Sequence, residues 1–78
     1  MGEWTQTNVR CFSGYKANER PLAFLYRGGE ILVQKVVESW YEPDRLCFKV
    51  MAEDGHTYRL EHHERDNSWQ VKKVYKRL

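Results

Sequence analysis

Three turn signals, Arg27-Gly28-Gly29-Glu30, Glu53-Asp54-Gly55-His56 and Arg65-Asp66-Asn67-Ser68, cut the middle and second half of the chain into short runs rich in aromatic and β-branched residues. Glycine and asparagine supply the left-handed backbone that tight hairpins need, and the residues between them suit a pleated, half-buried surface. A fourth turn is set by Pro43 and Asp44 within Tyr41-Glu42-Pro43-Asp44-Arg45. The pattern predicts an all-β chain: a small antiparallel meander of five to six strands, curled or closed as an SH3-like barrel.

Side-chain alternation tests each register. A two-residue loop at Gly28-Gly29 pairs Tyr26 with Ile31 and Phe24 with Val33, putting four large apolar groups on one face. The same count sets Leu22 against Lys35, which predicts a β-bulge near Lys35-Val36. Leu25 and Leu32 fall on the other face. At Asp54-Gly55 a two-residue loop would oppose Phe48 to Glu61 and put charge on the core side. A three-residue loop, Glu53-Asp54-Gly55, instead pairs Val50 with Tyr58 and Phe48 with Leu60, with Gly55 at positive φ. The last hairpin pairs His62 with Trp69 and Leu60 with Val71, and its final strand runs to Tyr75. Val9 to Ser13 reads as a possible sixth strand, Gly14 to Arg20 as a loop, and residues 1 to 8, polar apart from Trp4, as a loose terminus.

With 78 residues, 41% of them apolar, the chain can close one modest core, so residues 1–78 read as a single domain. Cys11 and Cys47 show no metal-ligand or redox spacing. The start lacks a cationic stretch followed by an apolar one, no long apolar run follows, and Gln6 breaks a myristoylation signal after Gly2. The expectation is a cytoplasmic protein with reduced thiols and no membrane association. Thirteen basic residues against eleven acidic ones leave a net charge of +2, too little to mark a nucleic-acid binder by itself. Local charge is more informative: Lys72, Lys73, Lys76 and Arg77 crowd the C-terminal end without an acidic neighbour among them.

The residues Glu19-Arg20-Pro21, Phe24, Val33, Trp40, Phe48-Lys49-Val50, Asp54-Gly55, Tyr58-Arg59-Leu60, Trp69 and Val74-Tyr75 resemble a small uncharacterised bacterial domain family. That family occurs alone or alongside Y-family translesion DNA polymerase homologues, and the resemblance runs over roughly positions 19 to 75. It implies a bacterial cytosolic accessory domain near DNA repair, with a repair protein as a partner. It carries no established activity and no site residues.

No catalytic motif, cofactor motif or metal set emerges, and the chain reads as a non-enzyme. His62 and His63 are neighbours on a strand and so face opposite ways, which prevents both from serving one zinc ion; His62 reads as a ring stacked on Trp69. Cys11 and Cys47 lie in apolar segments and read as inert thiols. Two binding readings remain. In the first, the chain is a nucleic-acid-binding module that uses Tyr15, Lys16, Arg20, Arg59, Lys72, Lys73, Lys76 and Arg77 for phosphates and stacking, with Trp40 or Tyr41 as a platform. In the second, Trp40, Tyr41 and Pro43 form, with the loop over residues 14–20, an aromatic patch for a protein partner. Each group has a plainer account: a loop tyrosine folded onto the sheet, solvated lysines, or lysines that block edge-to-edge strand pairing. Phe48 and Trp69 are read as core, so Phe48→Ala or Trp69→Ala should each cost ~3–5 kcal/mol. A near-normal thermal melt of either variant would show that the inward face is wrongly placed.

Overall fold

The backbone meets the turn chemistry directly. Arg27 and Gly28 both take positive φ, 53° and 81°, the combination that a right-twisted two-residue hairpin requires. Gly55 and Asn67 also adopt positive φ, in the second and third hairpins. The computed structural model describes residues 4–12 and 20–75. Among these residues there are seven strands and no helix: β1 (Thr5–Thr7), β2 (Val9–Phe12), β3 (Arg20–Tyr26), β4 (Gly29–Glu42), β5 (Arg45–Ala52), β6 (Thr57–His63) and β7 (Ser68–Val74). All pair antiparallel, in the order β1-β7-β6-β5-β4-β3-β2.

The strands at the two ends of that order, β1 and β2, are consecutive pieces of one stretch separated only by Asn8. The sheet therefore curls until its ends meet in a nearly closed barrel. Thr7 makes the join. Its hydroxyl donates to the Leu25 carbonyl at 2.6 Å and accepts from the Leu25 amide at 3.1 Å, while the same amide reaches the Asn8 carbonyl at 3.2 Å. Thr7 is 8% exposed, and its bonds to Leu25 are partly shielded from water.

The strand count is seven rather than five to six because Thr5–Thr7, expected within a loose terminus, form a strand. Thr5, Gln6 and Thr7 pair with Val71, Gln70 and Trp69, contacts too distant in sequence for local patterning to reveal. The first hairpin also differs from expectation. Its loop is Arg27-Gly28, so Phe24 faces Ile31 rather than Val33, and Tyr26 faces Gly29. The slip is two residues, which preserves the inward face. The bulge expected near Lys35-Val36 in the first hairpin is absent from the β3–β4 ladder; register shifts fall instead in the pairing of β4 with β5, between Val33 and Lys35 and between Val36 and Glu38. A further shift, between Arg10 and Cys11, leaves Leu22 outside the β2–β3 ladder. The second and third hairpins carry the expected pairs, Val50 with Tyr58, Phe48 with Leu60, Leu60 with Val71 and His62 with Trp69. The final strand ends at Val74.

Inside the barrel Phe24, Phe48, Val50, Ala52, Tyr58, Leu60 and Val71 form the buried core. Phe24 and Tyr26 meet the Tyr58 ring edge-on, at 4.9 and 5.2 Å between centroids. Trp69 is only half-buried: it stacks on Phe48 at 6.0 Å and carries His62 on itself at 4.6 Å, so its indole caps the core instead of filling it. Leu25 and Leu32 lie on the outside, each 45% exposed.

Replacing the Thr7 hydroxyl by a methyl group of the same shape leaves the partly buried Leu25 carbonyl without that donor. Thr7→Val should lower stability by ~1–3 kcal/mol in chemical denaturation, while Thr7→Ser should retain most of it. Equal midpoints for wild type and Thr7→Val would remove the hydroxyl from its closing role.

Candidate nucleic-acid interface

In an antiparallel sheet, directly opposed residues share a face. The pairs Glu38 with Lys49, Lys49 with Arg59 and Arg59 with Lys72 therefore form one row across β4, β5, β6 and β7 on the outer surface. Trp4, one residue before β1, continues that row. Lys72 Nζ lies 5.5 Å from the Trp4 ring centre and the Arg59 guanidinium carbon 5.9 Å from it. The next row carries Trp40, opposite Cys47, and Arg59 reaches diagonally to lie 5.2 Å above the Trp40 ring. Arg59 is thus bracketed by two indoles. Its Nε is buried without a hydrogen-bond partner, and among the described residues rings rather than a carboxylate flank the guanidinium.

Three cations abreast are unfavourable as a purely structural arrangement, since like charges directly opposite on a sheet repel. Glu38 stands at the β4 end of the row, yet among the described residues no ion pair forms to Lys49, Arg59 or Lys72. The other acids near this face gather around a single arginine. Near the β4–β5 turn, Arg45 contacts Asp44 at 3.1 Å, Glu61 at 3.3 Å and Glu42 at 3.9 Å, and His63 Nε2 lies 3.3 Å from Glu61. Glu42 in turn accepts from Trp40 Nε1 at 3.1 Å, which orients the indole. The hydrogen bond from Arg45, followed by its positive charge, holds the Asp44 carboxyl below its ordinary range. One end of the face therefore carries more carboxylates than cations, and the neighbouring row is cationic.

Of the residues singled out in the sequence, the structure brings together Arg59, Lys72 and Trp40. Tyr15, Lys16, Lys76 and Arg77 lie outside the described residues. Arg20 begins β3, away from the row, and lines a cleft of about 370 Å³ with Pro21, Leu22 and the bulged part of β4. Lys73 faces the opposite way from Lys72: it pairs with the core residue Tyr58, and its amine lies 5.4 Å from the Tyr75 ring. Tyr41 and Pro43 are exposed, Tyr41 at 71%, but Tyr41 is adjacent to Trp40 on β4 and so projects to the other face.

Sequence reasoning missed Lys49 and Trp4. Lys49 was within reach, because the register that pairs Val50 with Tyr58 also places Lys49 opposite Arg59. Trp4 was not, because its position follows from the long-range pairing of β1 with β7.

The remaining chemistry is structural. Burial, then the Glu61 and Glu42 carboxylates, push the Cys47 thiol up to about 11. The Tyr58 hydroxyl donates to Asp54 at 2.8 Å; burial and then this bond raise the phenol well above its ordinary value. Burial raises the Asp54 carboxyl, but the His56 backbone amide and the Tyr58 hydroxyl outweigh it and leave the carboxyl below its ordinary range. His62 and His63 lie on opposite faces, one on Trp69 and one beside Glu61, and among the described residues no three His, Cys, Asp or Glu side chains are grouped to hold a metal ion. Nor is any described helix long and apolar enough to cross a membrane. The chain matches no known protein family, no curated protein and no solved structure.

Cys47 should resist iodoacetamide in the folded protein at neutral pH, because the thiolate is the nucleophile and this thiol is both covered and held protonated. Its labelling, followed by mass spectrometry, should rise only as pH approaches about 11, or when denaturant is added. Rapid labelling of native Cys47 near pH 7 would contradict its placement beneath the outer face.

Proposed function

We propose that the protein is a nucleic-acid-binding accessory module whose binding surface is the outer face of β4, β5, β6, β7 and β1. The observation that carries this reading is the row Lys49–Arg59–Lys72, three cations abreast with no carboxylate paired to them among the described residues. Such a row repels itself until an anion lies across it, and a phosphate backbone supplies several anions in a line. Trp4 and Trp40 beside the row add the π-faces on which bases stack. Among the described residues no three His, Cys, Asp or Glu side chains are grouped to hold a metal ion, and binding is the activity assigned to the face. The resemblance of positions 19 to 75 to domains that accompany translesion polymerase homologues supports a cytoplasmic, repair-associated setting for that binding.

The reading is tested by titrating a labelled oligonucleotide at about 50 mM and about 200 mM salt. Three phosphate contacts give a log–log slope of roughly −2 to −3, so affinity should fall ~20–40-fold between the two conditions. The Lys49→Ala/Lys72→Ala protein, with one contact left, should bind more weakly and lose only about threefold over the same interval. No binding by folded wild-type protein at the lower salt would overturn the proposal and turn the search to protein partners at exposed Tyr41 and Pro43.

A further inference from the structure

The surface has a shape as well as a charge. The cationic row lies in the middle of a five-strand face, β4-β5-β6-β7-β1. At the usual strand spacing that face is about 19 Å across, whereas the major groove of a duplex is about 12 Å wide and admits a helix or a two-stranded ribbon. The row therefore cannot enter a groove to read base edges. A duplex resting on the face would meet it with phosphates alone and offer neither indole a base to stack on, because paired bases bury their flat faces against each other. An unpaired strand differs on that point: its bases are free to stack on tryptophan or on a guanidinium plane. The two half-buried indoles bracket the central cation, Trp40 on one side of Arg59 and Trp4 on the other, so ring platforms and phosphate partners lie within one side chain of each other.

Building on the nucleic-acid reading above, we infer that the ligand is a single-stranded polynucleotide. Its phosphates lie along Lys49, Arg59 and Lys72, and its bases stack on Trp40 and Trp4. The N-terminal stretch is then part of the binding surface as well as the closing strand of the barrel. Trp69, on the other face with His62 and Phe48, takes no part.

The test uses the whole chain with four labelled probes: oligothymidylate and oligouridylate of about 15 nucleotides, near the upper site size for a small barrel, a duplex of equal length, and an abasic strand of equal phosphate number. Anisotropy gives affinity, and intrinsic tryptophan fluorescence reports stacking. The expected result is that one of the two base-bearing strands binds at least about tenfold tighter than the duplex and the abasic strand, and that only base-bearing strands quench the fluorescence. Trp4→Leu and Trp40→Leu should each weaken that binding about tenfold, within the range found for one stacked base. Trp40→Phe should recover much of the loss, which guards against a variant that merely unfolds. Duplex binding as tight as that of both single strands, still dependent on Lys49 and Lys72, would overturn this inference while leaving the nucleic-acid reading intact. Equal affinity for abasic and base-bearing strands would overturn it as well, by removing the stacking. Failure of all four probes at about 50 mM salt would overturn both.

Discussion

The barrel depends on the seam at Thr7. A small sheet with free edges exposes unpaired amides and carbonyls along both sides, and a chain of 78 residues has no helix among its described residues to cover them. Here one N-terminal stretch serves both edges: β1 completes the ladder of β7 and β2 that of β3. Where the stretch passes from one to the other the regular ladder lapses, and the Thr7 hydroxyl supplies both a donor and an acceptor to Leu25 in its place. The core behind it, Phe24 against Tyr58 and Phe48 against Trp69, is enclosed only because that seam is made.

The second constraint is the bend of β4. Its fourteen residues pair with β3 at one end and β5 at the other, and two register shifts between Val33 and Glu38 absorb the change of direction. Bulges strengthen local twist, and so a strand too long for one flat sheet becomes the corner of a barrel. Beyond that corner, Glu38, Trp40 and Glu42 join the outer face of β5, β6 and β7, which places an indole on β4 close enough to Arg59 to hold it.

The legible part of this fold was the local part. Asp54-Gly55 and Asp66-Asn67 announced their hairpins, and alternation settled both registers, because a slip of one residue would have turned Glu61 or Arg59 toward the apolar core. The Arg27-Gly28 turn was harder. With Gly28 and Gly29 adjacent, two loops of equal length keep the same inward face, and patterning cannot separate registers two residues apart. Arg27 at positive φ is the less expected choice for a non-glycine residue. The site was legible in the same proportion. Arg59, Lys72 and Trp40 were singled out as chemistry without a shared location; the two hairpin registers contained the Lys49–Arg59–Lys72 row all along. What local patterning does not carry is β1, and with it Trp4, because Thr5 and Val71 pair from near opposite ends of the chain. Lys72 and Lys73, grouped by sequence as one basic cluster, separate onto two faces by simple alternation.

The long strand and the seam together give the molecule the mechanics of a clasp. β2 and β3 form one leaf, and β5, β6, β7 and β1 form the other. They are joined by β4, a continuous covalent hinge, and by the short stretch through Thr7 and Asn8, a latch fastened by a few hydrogen bonds. Trp4 sits only three residues from Thr7, so whatever grips that indole also pulls on the latch.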